Sequence, residues 1–138
     1  MIEEYSDSYI NKVLQEVETI AVVGASSNYQ RDSYKVMESL IENGYRIFPV
    51  NPNEQGNLIL GQLCYSDLSS IPEKIDMVDV FRAKEALIGV TKEAIQIEAK
   101  VLWTQLGVVH EEASELAKSA GLKVIMNRCP KIELEKQY

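Results

Sequence analysis

Apolar positions along the chain follow two periods in alternation, and each period predicts one kind of element. Ile10, Val13, Leu14 and Val17 fall at i, i+3, i+4 and i+7, the stripe of an amphipathic helix over about residues 6–18. Ser6 or Asp7 is placed to cap it. Thr19-Ile-Ala-Val-Val23 is instead an unbroken apolar run ended by Gly24. A strand that does not alternate is buried on both faces, as in a parallel sheet. A second helix is predicted from about Ser33 to Asn43, with Val36, Met37, Leu40 and Ile41 inward and Gly44 at C′. Tyr45–Val50 reads as the second strand, stopped by Asn51-Pro52. The unit from Thr19 to Val50 spans about 30 residues, the size of one right-handed crossover.

The alternation continues. Asn53–Gly61 reads as a loop with a short edge strand near Leu58–Leu60, and Ile71-Pro72 breaks the mixed stretch that follows. Asp76–Phe81 is a third strand. Ala83–Ile97 is a helix with Leu87, Val90, Ala94 and Ile97 on one face, although Gly89 leaves two shorter pieces open. Lys100–Thr104 is a strand, Glu111–Ala120 a helix with Gly121 at C′, and Leu122–Met126 the last strand. The remainder to Tyr138 is polar. The expected fold is α/β: one domain over residues 1–138, a doubly wound, mostly parallel sheet of five to six strands in a Rossmann-like three-layer αβα arrangement.

Composition narrows the class. With 138 residues, 46% apolar and 25% charged, the chain can build its own core without disulfides or metal. Fourteen Lys and Arg against 21 Asp and Glu give a net charge of −7, which argues against nucleic acid as a partner. No apolar run approaches the roughly 20 residues that span a bilayer, and Met1–Asp7 is acidic with no apolar stretch behind it. A cytoplasmic protein with no membrane partner is expected, its two cysteines, Cys64 and Cys129, reduced. If the ligand is an anion, local groups must overcome the overall field.

In doubly wound sheets ligands bind beyond the carboxyl ends of the strands, where strand order reverses. After the first strand stand Gly24, Ala25, Ser26 and Ser27, then Arg31 and Ser33 at the start of a helix. A glycine allows a tight turn and close approach, and free helix amides favour an anion. Arg31 adds a fork for phosphate. The alternative is an ordinary loop with Ser33 or Asp32 as N-cap. One glycine stands where the dinucleotide fingerprint needs three, and Val50-Asn51-Pro52 lacks the carboxylate that holds ribose hydroxyls. Asn51 and Pro52 instead offer a neutral, fixed turn. Phe81 and Arg82 suit an adenine or phosphate, Thr104 and Gln105 can line the same crevice, and Arg128 and Lys131 add positive charge. Asp79, inside a strand, is expected to accept hydrogen bonds from a neighbouring loop. Cys129 has no partner base, and His110 is better placed to cap a helix than to catalyse.

The ordered set Val23-Gly-Ala-Ser26, Ser33-Tyr34, Gly44-Tyr45, Pro49-Val-Asn-Pro52, Val78-Asp-Val-Phe-Arg82, Trp103-Thr-Gln-Leu-Gly-Val108 and Met126-Asn-Arg-Cys-Pro-Lys131 resembles the small stand-alone CoA-binding proteins. These share the Rossmann-like CoA-binding domain found at the N-terminus of succinyl-CoA synthetase alpha subunits. The resemblance covers about Thr19–Glu133. It implies coenzyme A, or an acyl-CoA, across the switch point: phosphates at Gly24–Ser27 and the helix start, adenosine near Asn51-Pro52 and Phe81-Arg82, and Thr104 and Gln105 toward the far part of the cofactor. His110 does not match the ligase's phosphorylated histidine, so the ligase reaction does not carry over. Members often read Asp where this chain has Asn127. The expected function is a non-catalytic CoA-binding or regulatory module. The competing readings are an NAD(P)-linked oxidoreductase or redox sensor on the same fold, and an interaction protein with a vestigial pocket.

Overall fold

Strand β1 (Thr19–Val23) lies inside the sheet, and all five of its residues are buried, as its unbroken apolar run requires. The computed structural model describes residues 4–136. Ahead of β1 runs α1 (Asp7–Glu16), capped by Ser6, whose hydroxyl accepts from the Tyr9 amide at 3.1 Å. Behind it come α2 (Asp32–Glu42), β2 (Arg46–Val50), a small hairpin of β3 (Leu58–Ile59) and β4 (Gln62–Leu63), then β5 (Met77–Val80). The chain continues through α3 (Leu87–Gln96), β6 (Val101–Thr104), α4 (Glu111–Ser119), β7 (Lys123–Ile125) and α5 (Pro130–Glu135).

The main sheet has five parallel strands in the order β2-β1-β5-β6-β7. The chain winds outward from β1 in both directions, so the order reverses between β1 and β5. Residue alternation divides the core into two layers. Ala21, Val23, Val78, Val80, Leu102 and Val124 pack with Leu87 and Val90 of α3 and Ala113 and Ala117 of α4. Ile20, Val22, Met77, Trp103 and Ile125 pack on the other side with α1 and α2. Trp103 is fully buried, and its indole N–H donates to the Arg128 carbonyl at 2.9 Å.

Three elements depart from the sequence reading. The short strand near Leu58–Leu60 does not join the main sheet. It pairs antiparallel with β4 across a tight turn in which Leu60 and Gly61 both have positive φ. The helix expected over 83–97 is two pieces, a 3-10 turn at Lys84–Ala86 and then α3, and Gly89 lies within α3 rather than at the break. The polar tail holds α5, which starts on Pro130 at its first turn and buries Pro130 and Glu133. Its stripe is too short for periodicity to reveal it.

Two aspartates of the third strand region behave oppositely. Asp76 accepts from the Glu18 and Thr19 amides at 2.8 and 3.3 Å and lies 3.5 Å from the Lys100 ammonium. Burial pushes its carboxyl up, but those donors outweigh burial and hold it below the ordinary value. Asp79 is fully buried, and neither carboxyl oxygen has a hydrogen-bond partner. The expected bonds from a neighbouring loop do not form, because register places Asp79 between Val22 and Trp103 in the middle of the sheet. Burial alone raises its carboxyl well above the ordinary range.

Candidate functional site

The switch point is closed by backbone. The Gly24 and Ala25 amides both donate to the Val50 carbonyl, at 3.0 and 3.3 Å, and the Phe81 amide donates to the Val23 carbonyl at 2.8 Å. Gly24 has φ +88, and a Cβ there would lie 2.6 Å from the Phe81 carbonyl oxygen. The close approach that requires glycine is therefore made by the neighbouring strand's turn. Asn51 ties the same loops together: its side-chain N–H donates to the Ala25 carbonyl at 2.8 Å and its Oδ1 accepts from the Asn53 amide at 2.9 Å. It positions the site, with both ends of its amide engaged.

Two hollows flank this junction and share Gly24, Asn51 and Phe81. One, of about 400 Å³, is lined also by Ala25, Ser26, Arg31, Asp32 and Ser33. Here α2 begins. Its N-cap position is Arg31, which supplies no side-chain cap, so neither Ser33 nor Asp32 serves as N-cap. The first-turn amides of α2 lack a capping side chain, the arrangement that attracts an anion. The Ser26 hydroxyl accepts from the Asn28 amide at 3.0 Å, which shapes the loop.

The other hollow, of about 420 Å³, has an apolar wall of Val23, Val50, Pro52, Leu68, Phe81 and Val90. Its polar lining is Asn53, Ser66, Asp67, Arg82 and Glu93. Ser66, Asp67 and Glu93 were not legible as site residues. Segment 64–66 is brought alongside β2: the Tyr65 amide donates to the Pro49 carbonyl and the Asn51 amide to the Tyr65 carbonyl, both at 2.9 Å. That pairing delivers Asp67 to the carboxyl edge, where β2 itself carries no acid.

Nine of the twelve candidate residues line these hollows, and Ser27, Thr104 and Gln105 line neither. The Ser27 amide donates to the Glu54 carboxylate at 3.0 Å. Thr104 is fully buried; its hydroxyl donates to the Val108 carbonyl at 2.6 Å and receives the Asn127 amide at 3.3 Å. Asn127, at φ +62, also accepts from the Gly107 amide at 2.7 Å, so this cluster shapes the loop after β6. The side-chain Oε1 of Gln105 is buried without a partner, while its backbone carbonyl accepts from the Val108 amide at 3.0 Å. Arg128 stacks over Tyr5 at 5.5 Å and Lys131 pairs with Glu135 at 3.3 Å, so neither lines these hollows.

His110 caps α4, its Nδ1 accepting from the Ala113 amide at 3.1 Å. His110→Ala is expected to cost about 1 kcal/mol in urea denaturation, as lost caps do, with His110→Asn restoring most of it. Cys129 is buried at the start of α5. Burial pushes the Cys64 thiol up, which disfavours the thiolate. A further hollow, of about 600 Å³, lies at the opposite edge of the sheet, against the C-terminal ends of α1, α3 and α4. Those ends carry the negative pole of each helix and do not suit an anion. No helix among the described residues is long and apolar enough to cross a membrane.

The chain is similar to known proteins over nearly its whole length. It is 41% identical over 127 residues to the uncharacterized protein YneT of Bacillus subtilis (strain 168), covering 92% of this chain and 93% of that protein. A hypothetical protein from Pyrococcus horikoshii OT3 superposes with TM-score 0.90 at 38% identity, covering 99% and 98% of the two chains. The ADP-forming acetate–CoA ligase II of Archaeoglobus fulgidus is 28% identical over 118 residues, 77% of this chain but 17% of the ligase. The family model described as CoA binding domain matches residues 18–135, and with its parallel five-stranded Rossmann-like sheet this chain belongs to that family.

Proposed function

We propose that the protein binds coenzyme A or an acyl-CoA as a non-catalytic binding or regulatory module. The observation that carries this is the pair of hollows joined at Gly24, Asn51 and Phe81. One offers uncapped helix amides, Arg31 and serine hydroxyls to a diphosphate, and the other an apolar wall beside Arg82 to an adenosine. The membership in the CoA binding domain family supports the choice of cofactor. The non-catalytic part is supported by the placement of reactive groups. His110 is engaged as a cap, and both cysteines are buried and line neither hollow, Cys64 with its thiol turned to the Asn51 carbonyl. The reading takes the protein to be cytoplasmic, with both thiols reduced.

Titration with CoA followed by thermal unfolding tests it. CoA at 100 times its dissociation constant is expected to add about 2.7 kcal/mol of stability. No shift with CoA at millimolar concentration, beside a clear shift with NAD, overturns the CoA reading.

A further inference from the structure

We infer that the adenosine-side hollow is built for a ribose with free hydroxyls, and so for an adenosine 5′-diphosphate conjugate without the 3′-phosphate of CoA. The inference refines the cofactor reading above and rests on the two hollows forming one groove. It starts from charge. Of the residues lining the hollow of Pro52 and Arg82, Arg82 is the one cation, against the carboxylates of Asp67 and Glu93. Hydrogen bonds from the Ser70 and Ser69 hydroxyls and the Ser70 amide hold the Asp67 carboxyl below the ordinary carboxylate range, so it is charged at neutral pH.

A phosphate monoester carries about −1.5 to −2 charges at pH 7 and presents acceptor oxygens. An ionised carboxylate is also acceptor-only, so the two repel and share no hydrogen bond. One guanidinium faces two carboxylates before any such phosphate arrives. A ribose hydroxyl is a donor, and an acid at the β-strand edge holds ribose hydroxyls in dinucleotide sites. Asp67 Oδ1 is engaged by Ser69 and Ser70, whereas Oδ2 has a single long contact from the Ser66 hydroxyl at 3.5 Å. That oxygen retains acceptor capacity. The diphosphate is served by the adjoining hollow, through Arg31 and the α2 amides.

Calorimetric titration with CoA, dephospho-CoA and NAD separates the cases. Dephospho-CoA is expected to bind at least about threefold tighter than CoA at 0.1 M salt, with the gap narrowing in high salt as the repulsion is screened. Asp67→Asn with Glu93→Gln is expected to narrow the gap too, by strengthening CoA. Asn keeps the Oδ1 acceptor that Ser69 and Ser70 use, and circular dichroism confirms folding of the variant. CoA binding as tightly as dephospho-CoA, or tighter, overturns the inference and leaves the CoA reading standing. NAD binding with neither form of CoA sustains the free-ribose inference and overturns the CoA reading. Binding of none of the three overturns both.

Discussion

Gly24→Ala is expected to cost about 3 kcal/mol or more in stability and to abolish ligand binding in whatever protein still folds. Two effects add. At φ +88 any Cβ carries the strain of the left-handed region, about 1–2 kcal/mol. In addition the new methyl would stand 2.6 Å from the Phe81 carbonyl oxygen and 3.2 Å from Arg82 Cγ. Backbone cannot yield there cheaply, because the Phe81 amide is bonded to the carbonyl of Val23, the last residue of β1 and the neighbour of Gly24. The turn after β5 must move away from the turn after β1, and both hollows share that junction. Gly44→Ala is the control. Gly44 has φ +91 but nothing within 4 Å of the added Cβ, so it reports strain alone. Urea denaturation of both variants measures the difference. Equal losses would mean that the Phe81 contact relaxes freely.

Asp79→Leu is expected to stabilise the protein by about 1–3 kcal/mol at pH 8, the scale of a buried polar group without partners. The sign follows from linkage. The folded-state carboxyl of Asp79 is raised above its unfolded value by burial, so the native state binds the extra proton. Stability from this group therefore falls as pH rises from about the unfolded value near 4 toward the folded one. Asp76 runs the other way: its carboxyl is lowered in the folded state, so its contribution is present above the unfolded value and lost as pH falls through the folded one. Denaturation at pH 5 and pH 8 should show a larger gain for Asp79→Leu at pH 8. Asp79→Asn, of nearly equal size and unable to titrate, should remove the slope between those pH values even if leucine packs poorly. An unchanged slope in Asp79→Asn would assign the pH dependence to another group.

Much of this molecule was written in its periodicities. β1, β2 and β5 are apolar runs bounded by Gly24, Asn51-Pro52 and Phe81-Arg82, and those boundaries line the two hollows. The loop of Gly24 and the start of α2 were legible because glycine, serine and arginine there each have a local reason to be present. The turn of Asn51-Pro52 was legible as neutral, and the side-chain bonds of Asn51 explain why it stays fixed. What was hidden depends on pairing across the sheet edge. Nothing local to Asp67 says that Tyr65 will run beside Pro49 and Asn51. Glu93 sits on α3 beside Lys92, with nothing local to set it apart from a solvated helix residue, and Val90, one turn earlier on the same helix, lines the hollow with it. Thr104 lines neither hollow for a similar reason: its hydroxyl is taken by backbone at Val108 and Asn127, partners set by the loops after β6 and β7.

The pairing of Tyr65 along β2 also bears on self-association. β2 ends the sheet, and an outermost strand with open amides and carbonyls is a template for another chain. Tyr65 occupies the Pro49 carbonyl and the Asn51 amide, and Pro49 has no N–H to offer. The upper half of that border is thus sealed by the stretch that carries Asp67 to the groove. A shortened connection between Asn53 and Tyr65 would draw the Asp67 carboxylate from the groove and unseal the border in one stroke. The stretch that shapes one wall of the groove thus also guards the sheet's border, so a change to this connection acts on both at once.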